Sequence, residues 1–505
     1  MCGFFITNSN NVYEEDEDIL DATLSFRGPD GSSGIIVSGE WKSYHSRLSI
    51  IDLTPGTNQP VINEDGSQLV FNGEILNYKE LGIKYFNKIY ESDTFLLNDL
   101  IRNRNLDLIE LDGFFSFVFI NSFGKLEYAC RDRFGVKPLY YIEENGCISF
   151  SSEPSTLKEL FKTPINQAAI DEYKCFRAPI FEESYYLKIH SVQPGCCYVK
   201  GKYFDLTLEL LKEKKPITEN SLIDALKMGV KSRCVSDAPI GLLLSRGIDS
   251  NLIRYMHSFD RYYSVGFSGD DDIEYLKRSN IEGLTVLDIK PEDFKKAFDF
   301  LLNLRKEPLS VPNEVLLYLV AKYARGQGIK VLLSGEGADE FFAGYDRIFT
   351  WAMNTEKFDV NQFVKLYAYN SSEMNEDVFQ KVNSIFLSCG IKDPFEMVRW
   401  FFIKYHMPIL FRRLDFSLMA AGVEGREPIA NMHLFDLCKN LTSNDLMISG
   451  LGKKPLRDLL ASYMGEEFSF SKKIGFPVQV NKIFDNPEGL ESYDLWFKKN
   501  LEVLL

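Results

Sequence analysis

The sequence is poor in the residues and patterns that mark several protein classes. None of its nine cysteines forms a C-x-x-C pair, and there are only five histidines, which argues against a structural metal cluster and for reduced, mostly buried thiols. Cys196 and Cys197 are adjacent, a poor arrangement for a shared zinc. No apolar run approaches the ~20 residues a membrane helix needs, the longest stretches, such as Ile240–Leu244, being strand-sized. The start, Met1-Cys2-Gly3-Phe4-Phe5, lacks a basic segment and leads into Glu14-Glu15-Asp16-Glu17-Asp18, so no signal peptide is expected and a cytoplasmic setting fits. Basic residues are in deficit, 57 against 72 acidic, for a net charge of −15. Such a chain has no general attraction for nucleic acid or anionic lipid, so neither nucleic-acid nor membrane partners are expected. There is no internal repeat and no low-complexity tract. What remains is ordinary globular composition, 45% apolar and 26% charged over 505 residues, enough for two or more domains.

The first ~200 residues read as short strands between turn signals: Gly3–Thr7, Gly34–Val37, Gln68–Phe71, Phe114–Ile120, Leu126–Cys130 and Leu139–Ile142. Few long helical patterns separate them before residue 155, which predicts layered antiparallel sheets. A turn at Gln193-Pro194-Gly195 and the charged stretch Lys212–Lys215, ending at Pro216, place a domain boundary there, giving domains 2–200 and 216–505. Beyond it, strand candidates Ile240–Leu244, Tyr262–Phe267, Leu284–Ile289 and Lys330–Leu333 alternate with helical patterns such as Asn313–Gln327. That alternation predicts a doubly wound parallel sheet with ligands outside the carboxyl ends of its strands. The last ~150 residues read as mostly helical.

Two positions carry chemistry on their own terms. Removal of Met1 would leave Cys2 first, its thiol on the same residue as a free α-amine of pKa ~7.7–8.0, a base suited to activating it. In Gly241-Leu242-Leu243-Leu244-Ser245-Arg246-Gly247-Ile248-Asp249-Ser250 a strand meets a short loop and a helix start, which aims N–H groups and hydroxyls at an anion. No Gly-Lys-Ser/Thr follows, so it is not a Walker loop.

Seven ordered segments, Met1-Cys2-Gly3, Arg27-Gly28-Pro29-Asp30, Arg47–Leu53, Asn58-Gln59-Pro60, Phe71-Asn72-Gly73-Glu74-Ile75, Ser92-Asp93-Thr94 and Arg131–Leu139, closely resemble the glutaminase domain of asparagine synthetases. The resemblance implies a four-layered αββα Ntn-hydrolase-type domain in which Cys2 is the nucleophile. It makes the Asn72 amide and the Gly73 N–H the oxyanion donors, with Glu74 beside them. Arg47 would grip the carboxylate of glutamine and Asp93 its ammonium. Phe26 departs from the histidine usual before Arg-Gly-Pro-Asp.

The second half resembles ATP pyrophosphatases of the PP-loop type. Ser245, Gly247, Asp249 and Ser250 match Ser-Gly-Gly-x-Asp-Ser, whereas Arg246 replaces the first glycine. Ser334-Gly335-Glu336-Gly337-Ala338-Asp339-Glu340 resembles the family's acidic segment. The resemblance assigns ATP to Leu244, Ser245, Gly247, Asp249, Ser250, Val265, Ser334 and Gly335, and Mg2+ to Asp249 and Asp339. Glu336 would lie at the acyl-adenylate and Lys473 would neutralise departing pyrophosphate, with Lys453-Lys454-Pro455-Leu456-Arg457 also matching. The implied enzyme is a carbon–nitrogen ligase that takes ammonia from glutamine to amidate an adenylated carboxylate, aspartate by default, through an internal passage. Arg246, Lys306–Asn313, Glu427 and Asn431 depart from the family pattern and leave open another acid, such as a uronic acid of a polysaccharide precursor or a secondary metabolite. A glutaminase whose synthetase half is inactive, and a pure interaction protein, are further readings. Related enzymes pair through their glutaminase domains, which makes a homodimer an expectation.

Overall fold

The computed structural model describes residues 2–472 and 478–502. Its first half is two stacked antiparallel sheets faced by helices. One sheet runs His190–Ser191, Tyr140–Glu144, Cys147–Ser151, Cys2–Thr7, Trp41–Arg47 and Gly31–Ser32, with Ile36–Ser38 also on Trp41–Arg47. The other runs Gly201–Lys202, Cys196–Cys197, Leu126–Arg131, Gly113–Ile120, Gln68–Ile75 and Val61–Ile62.

Side-chain alternation along these strands builds the layers. In Cys2–Thr7, Phe4 and Ile6 point between the sheets, where they meet Val70, Val118 and Ala129. Phe5 points outward to Leu20, Leu24 and Leu157 of helices Glu17–Leu24 and Pro154–Phe161. On the far side, Leu69, Phe71 and Phe117 meet Leu96, Leu97 and Leu100 of helix Asp93–Arg102. The result is the expected αββα stack. Helices Glu17–Leu24, Tyr78–Phe86 and Asp93–Arg102 exceed the sequence expectation, which stressed strands before residue 155. The second sheet also continues past residue 200 through Gly201–Lys202.

The second half holds a five-stranded sheet, Leu284–Asp288, Tyr262–Gly266, Ile240–Leu243, Val331–Leu333 and Glu424–Arg426, parallel throughout. Helix Asn313–Gly326 and helix Met407–Met419 cover one face through Val320, Ala324, Leu414 and Leu418. Helix Ile248–Met256 supplies Leu252 and Ile253 to the other core. The order along the sheet reverses between Ile240–Leu243 and Val331–Leu333, and such a switch point opens a crevice at the strands' carboxyl ends. The two motif loops leave those two strands. All nine cysteines are free thiols. No described helix is long and apolar enough to cross a membrane.

Candidate active sites

Cys2 begins the first strand opposite Arg47, while Asn72 lies in the other sheet opposite Ser116. Stacking brings the two together: the Cys2 backbone N–H donates to Asn72 Oδ1 at 3.1 Å. The Asn72 side chain is fully buried, and its Nδ2 has no hydrogen-bond partner. A buried amide donor left unmatched is costly, which fits a group reserved for a ligand oxygen. Gly73 follows with φ +137°, and a Cβ there would sit 2.1 Å from the Phe114 carbonyl oxygen, so only glycine fits this close strand contact. Cys2 itself is 6% exposed, and burial pushes its thiol pKa up while Arg47 works the other way.

Asp93 opens its helix and accepts from the backbone N–H groups of Ile75 at 3.0 Å and Thr94 at 2.8 Å. Burial nevertheless raises its carboxyl to about 6. Glu74, equally buried, is pushed well above the usual range by burial and then by Asp93. Two carboxyls this close in a dry site resist ionising together. Arg47 is 7% exposed. Its Nη1 donates to the Thr54 carbonyl at 2.6 Å and to Asn58 Oδ1 at 3.1 Å, and its Nη2 donates to the Asp52 carbonyl and Thr57 Oγ1. The loop 52–58 therefore holds the fork that the sequence assigns to a substrate carboxylate.

A residue that sequence reasoning left without a role also touches Cys2. Arg27 Nε donates to the Cys2 carbonyl at 3.2 Å. Phe26 packs edge-on to Phe416 at 5.8 Å between ring centroids, so its departure from histidine serves an apolar contact with the second half.

At the switch point of the parallel sheet, a cavity of about 290 Å³ is lined by Leu244, Ser245, Gly247, Asp249, Ser250, Val265, Ser334, Gly335, Glu336 and Asp339. Every described residue assigned above to ATP or metal thus borders one space. Ser250 Oγ lies 3.1 Å from Ser245 Oγ and accepts from the Ser245 N–H at 3.1 Å. Asn251 Nδ2 donates to the Ser245 and Gly247 carbonyls. These bonds fold the loop tightly ahead of helix Ile248–Met256. Ser334 Oγ accepts from the Glu336 N–H at 3.3 Å.

A neighbouring cavity of about 150 Å³ shares Ser245, Gly247, Asp249 and Asp339 and adds the cations Arg246, Lys453, Arg457 and Lys472. Lys453 Nζ lies 2.7 Å from Asp249 Oδ2 and 2.7 Å from Asp339 Oδ1, with its side chain only 4% exposed. Gly344 makes room: a Cβ there would lie 2.0 Å from Asp339 Oδ1 and 2.3 Å from Lys453 Cε. Lys473, the lysine that sequence reasoning favoured, lies outside the described residues. No cluster of three or more His, Cys, Asp or Glu suited to a metal exists among the described residues. Two carboxylates converging at a phosphate-sized cavity fit Mg2+ carried on a nucleotide rather than held in a protein cage.

Arg246 does not have positive φ, so its position imposes no left-handed strain. Its guanidinium lies over the Tyr275 ring at 4.9 Å. Other departures from the family pattern also have structural duties. Lys306 caps a helix and pairs with Glu159 at 2.9 Å, Glu307 pairs with Arg412 at 3.4 Å, and Asn431 caps helix Met432–Cys438 by accepting from the Leu434 N–H. Glu427 remains a buried carboxyl, raised to about 8 by burial.

Comparison with known proteins agrees with both halves. A family model described as asparagine synthase matches residues 221–495, and one described as a glutamine amidotransferase domain matches residues 1–205. Asparagine synthetase [glutamine-hydrolyzing] 1 of Bacillus subtilis (strain 168) is 27% identical, covering 96% of this chain and 88% of its own. Asparagine synthetase B [glutamine-hydrolyzing] of Escherichia coli (strain K12) is 26% identical over 90% of this chain and 78% of its own. A probable asparagine synthetase [glutamine-hydrolyzing] of Acanthamoeba polyphaga mimivirus is 26% identical, covering 91% and 81%.

Proposed function

This chain belongs to the asparagine synthase family, and from that premise we propose that it is a glutamine-dependent, ATP-consuming ligase that converts aspartate to asparagine. The carrying observation is the pairing of Cys2 with the buried, unpartnered Asn72 amide in the same chain as a switch-point cavity lined by both motif loops.

In the amino-terminal domain, residues 2–200, removal of Met1 frees the Cys2 amine, which takes the thiol proton. The sulfur attacks the side-chain carbonyl carbon of glutamine. Asn72 Nδ2 and the Gly73 N–H receive the oxyanion, preorganised donors being the strongest single contribution to acyl transfer. The amine then gives its proton to departing ammonia, leaving a γ-glutamyl thioester that water hydrolyses to glutamate. Asp93 holds the substrate ammonium beside Glu74. Arg47 takes the carboxylate by exchanging its contacts with loop 52–58, a match of planar fork to carboxylate.

In residues 216–505, ATP is a substrate. Leu244 and Val265 border the base side, and Ser245, Gly247, Ser250, Ser334 and Gly335 receive the phosphates. The acceptor carboxylate attacks the α-phosphorus and pyrophosphate leaves, giving an acyl-adenylate. Ammonia then attacks its carbonyl carbon beside Glu336, the C–O bond to phosphate breaks, and AMP and a proton depart. Asp249 and Asp339 would hold Mg2+, which supplies charge neutralisation to the phosphates when bound. Arg246, Lys453, Arg457 and Lys472 border the neighbouring cavity and favour the departing pyrophosphate there.

Aspartate is favoured over a uronic acid or other carboxylate because Lys306, Glu307 and Asn431 serve capping and ion pairing. The absence of left-handed strain at Arg246 and the seat of its guanidinium over Tyr275 favour a working synthetase half over an inactive one. A pyrophosphate-release screen with glutamine, ATP and a panel of carboxylic acids tests the reading. Release with aspartate is expected; release only with a sugar acid overturns the choice of acceptor.

A further inference from the structure

The ionic groups buried between the two halves converge on the residue that carries the nucleophile. Arg27 ends the turn Ser25–Arg27 and is fully buried. Its Nε donates to the Cys2 carbonyl at 3.2 Å. Its Nη1 donates to Glu153 Oε1 at 2.6 Å and is ion-paired with Asp415 Oδ2 at 2.8 Å. Asp415 comes from the second half, on helix Met407–Met419, and its other oxygen accepts from Lys137 Nζ at 3.2 Å. One turn earlier on that helix, Arg412 donates to both oxygens of Glu153, at 3.0 and 2.6 Å.

Burial opposes the charge on Arg27, and Asp415, ahead of Glu153, more than restores it. The two carboxylates are not equivalent. Glu153 is shared with Arg412, whereas Asp415, 1% exposed, is ion-paired with Arg27 and Lys137. Without Asp415, Arg27 keeps a single carboxylate for which a second guanidinium competes, and its Nε loses the constraint that holds it on the Cys2 carbonyl. Cys2 has its N–H tied to Asn72 and its carbonyl tied to Arg27. Those two bonds fix the direction in which the thiol leaves the strand. On the same helix Leu414 borders the nucleotide cavity.

We propose that Asp415, a residue of the synthetase half, positions the nucleophile of the glutaminase half by holding Arg27 against the Cys2 carbonyl. The inference rests on the glutamine chemistry proposed for Cys2.

Full-length wild type, Asp415→Asn, Asp415→Glu and Arg27→Lys are compared for glutamine hydrolysis and for ammonia-driven pyrophosphate release. Because a misplacement of ~1 Å in a reacting group costs on the order of 10²-fold, Asp415→Asn should lower kcat for hydrolysis by about 30-fold or more. The KM for glutamine should stay within about 2-fold, since binding energy from Arg47 and Asp93 is untouched. Ammonia-driven release should likewise stay within about 2-fold, since only the glutaminase step is disturbed. Asp415→Glu should recover much of the lost kcat. An unchanged kcat in Asp415→Asn, or an equal loss of ammonia-driven release, overturns the proposal. If Asp415→Asn does not fold, Arg27→Lys decides, because it keeps the buried charge but lacks the Nε donor; a wild-type kcat in it also overturns the proposal. Wild-type enzyme that releases no ammonia from glutamine would instead overturn the reading beneath it.

Discussion

Lys453 places its ammonium 2.7 Å from Asp339 Oδ1, with the same nitrogen equally close to Asp249. The lysine bridges the two carboxylates, offsetting one of their two negative charges beside the phosphate cavity. Stripping a buried charge of its partner costs about 3–5 kcal/mol. Lys453→Met is therefore expected to cut ATP-dependent pyrophosphate release by roughly 100-fold or more. Glutamine hydrolysis by the same variant should be near wild type, which parallel assays on one preparation check.

Chelation should separate the two halves in the same way. EDTA is expected to abolish pyrophosphate release, because Asp249 and Asp339 offer carboxylates suited to Mg2+ carried on ATP. Glutamine hydrolysis should continue, and added Mg2+ should restore release.

The pH dependence of glutamine binding follows from Asp93. Its folded carboxyl titrates at about 6, above the ordinary 3.8, so the anion that pairs with the substrate ammonium is present above that value and lost below it. The KM for glutamine should rise as pH falls from 7 to 5, with a break near 6. Asp93→Asn should show a high KM without that break. A flat profile in wild type would contradict the assignment.

Removing the unpartnered donor tests the oxyanion site. Asn72→Ala should lower kcat for glutamine hydrolysis by roughly 10²–10³-fold, the usual cost of one such donor, while ammonia-driven synthesis persists. Gly73→Ala should destabilise the fold itself, since its Cβ would meet the Phe114 carbonyl at 2.1 Å. Thermal melting separates the two outcomes.

Much of this architecture can be read from the sequence because the informative residues are local. Short strands bounded by turns, and a strand–loop–helix junction at 241–250, announce themselves through periodicity and spacing. The observed strand Ile240–Leu243 and helix Asn313–Gly326 lie within a residue of the spans predicted. The helix Asp93–Arg102 carries a helical apolar stripe in Leu96, Leu97, Leu100 and Ile101 that an eye set on strands passes over. Arg27 and Lys453 stand in segments that match the family, but their roles are not legible there, because a charged residue reads as surface until its partner is known. Asp415 lies far along the chain from Arg27, as Asp249 does from Lys453, and only folding brings each pair together. Arg246 shows the converse. As sequence it looks like damage to a phosphate loop, yet its backbone φ is not left-handed and its guanidinium lies over the Tyr275 ring while bordering the neighbouring cavity.

The central claim is that one chain couples release of ammonia at Cys2 to ATP-dependent amidation at a distant cavity. The most direct test measures AMP and asparagine formed by Cys2→Ala from aspartate and ATP, supplied first with glutamine and then with ammonium. The account predicts no product with glutamine and near wild-type product with ammonium. Asparagine formed from glutamine by this variant would contradict it.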